Sequence, residues 1–484
     1  MGEMGSRVSI VTLLVVGLVT LASCVDEKIV FQDRELFIEP LTPALSFLGY
    51  TDQATKLTVC GNCHVEKQGG WEETAHASAW AGLQASGGAQ AFCEGCHTVG
   101  QLGNTIAEVA GHEATGEARY EDVQCEACHG PGLEHVQNPT DLTRPLAPLN
   151  VGVDLTQGCG ECHSDTHHPF VEEWAQSRHG DASTNQSYRV REGCDGCHGG
   201  EGALRAWGVN TEYIEKGQGE QIGITCAVCH DPHDATNENQ LRWPVDSRNV
   251  DENLCMKCHQ KRAVPDPTSS RGPHSPQGPL LLGQDVGWQP PNFAYADNLI
   301  RGTHGSEANQ KLCATCHVSS FTVTDPTSGD FVFSATGHLF KPIPCLDPVT
   351  GIPTGDDTCG MNTTERTFGA CTAAGCHGSA DAALSAMLIA QARIAALVTE
   401  LDALLALVPS TEFSTSDNVF TVAEGANFNA GLGDIESSAI HNPFLTEALL
   451  TASITAVQTE YSLPLLSSDL SLSNIMWELS TQGN

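Results

Sequence analysis

Two cysteines separated by two residues, with a histidine immediately after, begin at Cys60, Cys93, Cys125, Cys159, Cys194, Cys226, Cys255 and Cys313. That is eight C-x-x-C-H units in one chain. Thiols at this spacing can each form a thioether to one haem vinyl group, and the following imidazole then lies under the ring to bind the iron. A ninth, looser unit, Cys371-Thr-Ala-Ala-Gly-Cys376-His377, has four residues between the cysteines. It can span the same two vinyls if the loop bulges outward; the alternative is a disulfide or a free pair.

The attachment residues expected are therefore Cys60 and Cys63, Cys93 and Cys96, Cys125 and Cys128, Cys159 and Cys162, Cys194 and Cys197, Cys226 and Cys229, Cys255 and Cys258, Cys313 and Cys316, and Cys371 and Cys376. Their proximal iron ligands are His64, His97, His129, His163, His198, His230, His259, His317 and His377. The expected cofactor is covalent haem c, nine per chain. Zinc is the rival for paired cysteines, but structural zinc gathers four ligands from two such knuckles. Here every pair carries its own histidine and the units recur singly, which disfavours zinc and redox-active dithiols alike.

Low-spin electron-transfer haems need a ligand on the far face of the iron. Eleven histidines lie outside the motifs: His76, His112, His135, His167, His168, His179, His233, His274, His304, His338 and His441. All but His112, the possible spare together with one of His167 and His168, are taken as candidate distal ligands. Methionine has little claim, since Met1 and Met4 fall in a signal-like stretch and Met256 is locked inside the Cys255 motif. His233 follows His230 by three residues and projects from the same side, so it cannot reach the opposite face of that haem. It is expected on a neighbouring haem, as is His135, six residues beyond His129.

Of 21 cysteines, the motifs leave Cys24, Cys345 and Cys359. Cys24 ends an apolar run that begins after Arg7, which reads as a secretory signal over residues 1–23 rather than a membrane span. In an exported chain Cys345 and Cys359 are expected to form a disulfide. The formal net charge of -36 excludes nucleic-acid binding by counterion release and makes a cationic or metal-oxide partner electrostatically easier than an anionic one. The charge is equally explained as a device for solubility.

The motif starts lie 33, 32, 34, 35, 32, 29, 58 and 58 residues apart, and the chain holds 48 glycines and 24 prolines. Segments so short cannot each bury a side-chain core, so haem must supply much of the buried apolar surface. The expected fold is mainly α with extensive irregular loops, haems as the core, and a C-terminal helical hairpin. Its parts are an arm or tether at 24–59, a seven-haem segment at 60–270, a two-haem segment at 271–378 with ligand-bearing loops, and a helical region at 379–484. Phe321-Thr-Val-Thr and Asp330-Phe-Val-Phe flank a Pro-Thr-Ser-Gly turn and predict a β-hairpin. Residues 381–408 lack proline and predict a long helix packed on a second one, which starts at Asn442-Pro443 and runs to about Tyr461.

Cys60-Gly-Asn-Cys-His64 with Trp71-Glu-Glu-Thr-Ala-His76, Cys125-Glu-Ala-Cys-His-Gly-Pro-Gly leading to His135, and His167-His-Pro-Phe-Val-Glu-Glu-Trp174 leading to His179 resemble the multihaem cytochrome c superfamily. That group includes the tetrahaem electron carrier of ammonia oxidisers and the octahaem hydroxylamine oxidoreductases. The resemblance covers roughly residues 58–378. It implies closely packed haem pairs with Trp71 and Trp174 near the rings, and the phrase Ile440-His-Asn-Pro implies a distal role for His441. Leu21-Ala-Ser-Cys24 resembles the bacterial lipoprotein signal, which implies a lipid anchor at Cys24. The chain has no C-x-x-C-K site, the mark of the ammonia-forming nitrite reductases of the group.

The expected function is electron relay at the cell envelope or surface, with redox proteins or extracellular acceptors as partners. No residue is expected to act as a catalyst. Two rivals stay open. One is a reductase of a small nitrogen or sulfur oxyanion with one open iron, its substrate focused by Lys257, Lys261 and Arg262. The other is a homopolymeric filament.

Overall fold

The computed structural model describes residues 46–140, 158–165, 167–180, 187–189, 191–209, 223–297, 299–414 and 419–464. The signal-like stretch, Cys24 and most of the arm lie outside the described residues. Residues 42–484 form one compact unit.

The haem-motif region is built from single helical turns. Cys125–His129, Cys159–Cys162, Asp195–His198, Cys226–Cys229 and Cys313–His317 are each four or five residues long. Such helices are too short to be stable alone. The histidine N–H closes each turn on the carbonyl of the first cysteine, as in His163 to Cys159 at 2.8 Å, His230 to Cys226 at 2.8 Å and His259 to Cys255 at 3.1 Å. The looser ninth motif closes in the same way, His377 N–H to the Cys371 carbonyl at 3.1 Å. Its two extra residues are accommodated in the short helical turns Gly369–Thr372 and Ala373–Gly375, so the histidine keeps its place relative to the first cysteine.

The predicted β-hairpin is present: Phe321–Thr324 pairs antiparallel with Phe331–Ala335. Two further two-stranded ladders are small, Tyr50–Asp52 with Leu57–Thr58 and Cys345–Leu346 with Pro353–Thr354. Cys345 and Cys359 form the expected disulfide.

The expected pair of C-terminal helices is present and is joined by a third. The pair is Ala380–Leu405 and Pro443–Glu460, and the third, Val422–Gly433, packs against both. Gly425, Gly431 and Gly433 hide it in the sequence because glycine disfavours a helix, yet each serves close approach. A Cβ on Gly425 would sit 2.2 Å from the Trp288 ring, and one on Gly433 2.5 Å from Val398. A capping box of Thr421 and Glu424 starts this helix.

Ile394, Val398, Leu401 and Leu404 meet Ala423, Ala426, Leu450 and Val457 in the largest apolar cluster. By length and composition Ala380–Leu405 could cross a membrane. In the structure its second half is instead the wall of this core. A second cluster joins Leu280, Val286 and Tyr295 to Leu432, Leu445 and Leu449, so the segment after residue 271 shares a core with the C-terminal helices.

Asn442 is the joint between them. Its side chain caps Pro443–Glu460 by accepting from Leu445 N–H, and its Nδ2 donates to the carbonyls of Leu280 (3.1 Å) and Ile300 (2.8 Å). Asn442→Ala removes the cap and leaves two carbonyls unpaired, a loss of about 1–3 kcal/mol. Chemical denaturation followed by helical circular dichroism should show the lower midpoint, and an unchanged midpoint would mean that water replaces these bonds without cost.

Candidate haem-binding sites

Eight of the nine motif histidines face a second histidine at nearly one separation. Ring centres are 6.3 Å apart for His64 and His135, 6.1 Å for His163 and His76, 6.2 Å for His129 and His233, and 6.3 Å for His259 and His179. They are 6.2 Å apart for His198 and His274, 6.4 Å for His230 and His338, 6.2 Å for His377 and His304, and 6.3 Å for His317 and His441.

This distance has a chemical meaning. With each imidazole nitrogen about 2.0 Å from a metal and the ring centre roughly 1.1 Å behind it, two rings on opposite sides of one iron are about 6.2 Å apart. Direct stacking would bring them closer. The residues therefore fit a haem iron held between two imidazoles, and covalent haem c is the group that the adjoining cysteines bind. Among the described residues no three His, Cys, Asp or Glu side chains converge as a metal site of their own.

The second nitrogens are also arranged. His230 Nδ1 lies 2.8 Å from the Asn239 carbonyl, His304 Nδ1 2.7 Å from that of Ile440, His317 Nδ1 2.9 Å from that of Phe340, and His97 Nδ1 3.0 Å from that of Ala79. A carbonyl only accepts, so Nδ1 carries the proton and donates, leaving the Nε2 lone pair free for a metal.

Two carboxylates set the backbone that delivers distal rings. Glu126, inside the third motif and fully buried, accepts from the N–H groups of Leu48 (2.8 Å), Gly49 (2.8 Å) and Gly132 (2.7 Å), and so shapes the turn before His135. Glu173 accepts from Thr336 N–H (2.8 Å), Thr336 Oγ1 (2.7 Å) and His338 N–H (2.7 Å). Nothing in the spacing of Glu126 or Glu173 marked them. Gly70 is required for a different reason: a Cβ there would lie 1.9 Å from the carbonyl of His233, so only glycine lets this loop reach across to His129.

Three of the eleven histidines outside the motifs, and the motif histidine His97, stand apart from the eight pairs. His112 is buried behind the second motif, its ring 4.8 Å from Trp80 and its Nδ1 3.4 Å from Glu94. His167 stacks flat on Phe331 at 4.9 Å and faces no motif histidine. His168 is exposed, and its surroundings include the charge of His97, the motif histidine without a pair.

An internal duplication appears at the same sites. The motif starts Cys159, Cys194 and Cys226 follow Cys60, Cys93 and Cys125 by 99, 101 and 101 residues. Trp71-x-x-Thr-x-His76 recurs as Trp174-x-x-Ser-x-His179. Trp71 Nε1 donates to Val123 O at 2.9 Å and Trp174 Nε1 to Ile224 O at 2.8 Å, two residues before the third and the sixth motif respectively. Thr74 and Ser177 hydroxyls donate to the carbonyls of their tryptophans at 2.7 and 2.6 Å. The pattern W-x-x-[ST]-x-H was the signal available in the sequence.

Residues 59–130 match the family of cytochrome c554 and c-prime, and residues 219–264 match the doubled CXXCH motif family. The chain is a multihaem cytochrome c. Two solved structures are similar to it: the outer cell wall cytochrome OcwA, 18% identical over 76% of each chain with a TM-score of 0.47, and an undecahaem cytochrome from the S-layer of Carboxydothermus ferrireducens, 21% identical over 70% of this chain and 50% of that one with a TM-score of 0.40. No curated protein matches the cytochrome in sequence.

Burial keeps several of these imidazoles neutral. His163, His179 and His338 are pushed down to about 4 and His441 to about 3, in each case chiefly by desolvation and further by neighbouring histidines. The unfolded chain, with histidines near 6.5, binds more protons than the folded one between that value and about 4. Stability should be level above pH 7 and fall as pH drops through that window, and coordination, which uses the same neutral form, adds in the same direction. Denaturant midpoints at pH 8, 7, 5.5 and 4.5 test this; a midpoint that rises towards pH 4.5 would contradict it.

Proposed function

We propose that the cytochrome is an exported electron carrier holding nine haem c groups between paired imidazoles. The observation that carries this reading is the recurrence of one separation, 6.1–6.4 Å, in eight independent histidine pairs. A haem iron with imidazole on both faces supplies reversible one-electron chemistry and offers no open position to a substrate. Electron carriage is therefore favoured over reduction of an oxyanion.

For the ninth site the duplication favours His168. The fifth motif corresponds to the second, and His198 of the fifth pairs with His274, which follows the seventh motif. The corresponding ligand for His97 comes from the segment after the fourth motif, where His167 and His168 lie. Of the two, His168 is favoured because its surroundings include His97.

The cysteines give an order to the sites. Side-chain interactions link the sulfurs of Cys60 with Cys125, Cys159 with Cys226 and Cys255 with Cys313, while Cys128 neighbours Cys159, Cys229 neighbours Cys255 and Cys316 neighbours Cys371. Neighbouring sulfurs bring attachment edges together. The order is a line through motifs one, three, four, six, seven, eight and nine. The second motif branches from the fourth through Cys96 and Cys162, and the fifth from the seventh through Cys197 and Cys258. The protein's part is to fix this order, keep imidazoles neutral and exclude water.

Intact mass with haem-stained absorbance should give nine haems per chain, all low-spin in the ferric electron paramagnetic resonance spectrum. His168→Ala should convert one of them to high-spin and admit carbon monoxide after reduction, whereas His167→Ala should leave all low-spin. Eight haems would place the failure at the Cys371 motif, and high-spin signal in the unaltered protein would restore the reductase reading.

A further inference from the structure

The two branch sites occupy equivalent places in the duplication but opposite electrostatic surroundings. Each motif holds one acid, Glu94 or Asp195, but around the second lie also Glu113 and Glu161 acting on Cys96, and Asp165 beside His168. The fifth motif faces cations. Lys261 acts on the Cys197 sulfur, and Arg262 acts on both Cys194 and His274. Arg271 is close enough to hold the Arg262 guanidinium below its ordinary value, after partial burial. Arg262 Nε also donates to the Gly272 carbonyl at 3.0 Å, fixing the loop that presents His274.

Lys261, Arg262 and Arg271 are exposed, as is His274, and none of the three cations has an acidic partner among the described residues. The nearby acids are largely engaged elsewhere: Asp195 pairs with Arg205 at 3.5 Å, and Asp266 accepts from Thr268 N–H and Oγ1, both at 2.8 Å. Glu192 is exposed. A cluster of cations with no acidic partner among the described residues is costly through self-repulsion. It stands out in a chain of 59 acidic and 23 basic side chains.

We propose that Lys261, Arg262 and Arg271 form a binding site for a small multivalent anionic redox carrier, which exchanges one electron with the haem of the fifth motif. The inference rests on the reading that Cys194 and Cys197 carry haem. In the oxidising direction the carrier gains one electron and the iron passes from ferrous to ferric; no bond is made and no proton moves. Charge and size point to a small ion rather than an acidic protein. A small ion inside the screening length, about 8 Å at physiological ionic strength, feels the local cations, whereas a broad acidic surface also meets the net charge of the whole chain. Haem propionates compete for the same cations, but two carboxylates leave one of the three charges uncompensated.

The test uses full-length, haem-loaded, dithionite-reduced protein oxidised under anaerobic stopped flow by ferricyanide, an anion, or by hexaammineruthenium(III), a cation. The variant Lys261→Gln/Arg271→Gln keeps the Arg262 loop bond, and Lys311→Gln, which loses only its pair with Glu238, is the control. At low salt the double variant should slow ferricyanide about tenfold or more, within the range of electrostatic steering, and leave the ruthenium rate unchanged or raised. High salt should erase the difference, and Lys311→Gln should behave as the unaltered protein.

Equal slowing of both oxidants, or a changed haem content in the double variant, would mean that the cations only anchor propionates and would overturn the proposal. So would unchanged ferricyanide kinetics. Peptide mapping of the Cys194–Cys197 peptide separates the two readings: absence of haem there sinks the function assigned to that site, and its presence with no charge preference sinks the anion site alone.

Discussion

A planar cofactor gripped on both faces requires two imidazoles just over 6 Å apart, brought from different stretches of chain. Every other feature follows from meeting that requirement repeatedly. His135 follows the third motif but faces His64 of the first, His233 follows the sixth and faces His129 of the third, and His441 lies in the C-terminal bundle and faces His317 of the eighth. Each pairing is a long-range tie. Such ties replace the extensive side-chain core that segments of about thirty residues cannot build, which is why short motif helices persist where isolated ones would melt.

The ties also explain where conventional side-chain packing does occur. Its two main clusters lie in the C-terminal bundle and at its junction with residues 263–295, where spacing between motifs is widest. Asn442, one residue after His441, bonds the carbonyls of Leu280 and Ile300, so the packed bundle holds His441 in register with the segment from Leu280 to Ile300. Gly305 does similar work beside His304, since a Cβ there would lie 2.0 Å from the Leu281 carbonyl. The apolar bundle is thus a scaffold for two histidines, and its stability bears directly on coordination.

Much of this was legible in the residues because covalent attachment demands a fixed local spacing. The same locality made it possible to see that His233 could not serve the haem of His230. The β-hairpin and the two longest helices were readable from alternation, caps and composition. What could not be read depends on contact between distant segments. The helix Val422–Gly433 is glycine-rich because it lies close to Trp288 and Val398, a reason visible only once those neighbours are in place. Glu126 and Glu173 look like any other surface acid until their backbone partners, up to 165 residues away in sequence, are known. His112 and His167 are indistinguishable in type from the paired histidines, and only the rings they face, Trp80 and Phe331 rather than a motif histidine, set them apart.

The duplication carries a final consequence. Two copies of a three-motif unit share the tryptophan after the first motif that braces the third and the histidine that reaches the motif beyond it, so this geometry is repeated. Surface charge near the branch sites is not repeated. Axial geometry tolerates little change, because a shift of one ångström breaks a coordination bond, whereas an exposed Glu or Arg costs nothing in packing and can be exchanged freely. The divergence lies at the branches, beside the exposed His168 and His274. An acidic collar at one and a basic collar at the other would let one conducting core address partners of opposite charge without altering the core itself.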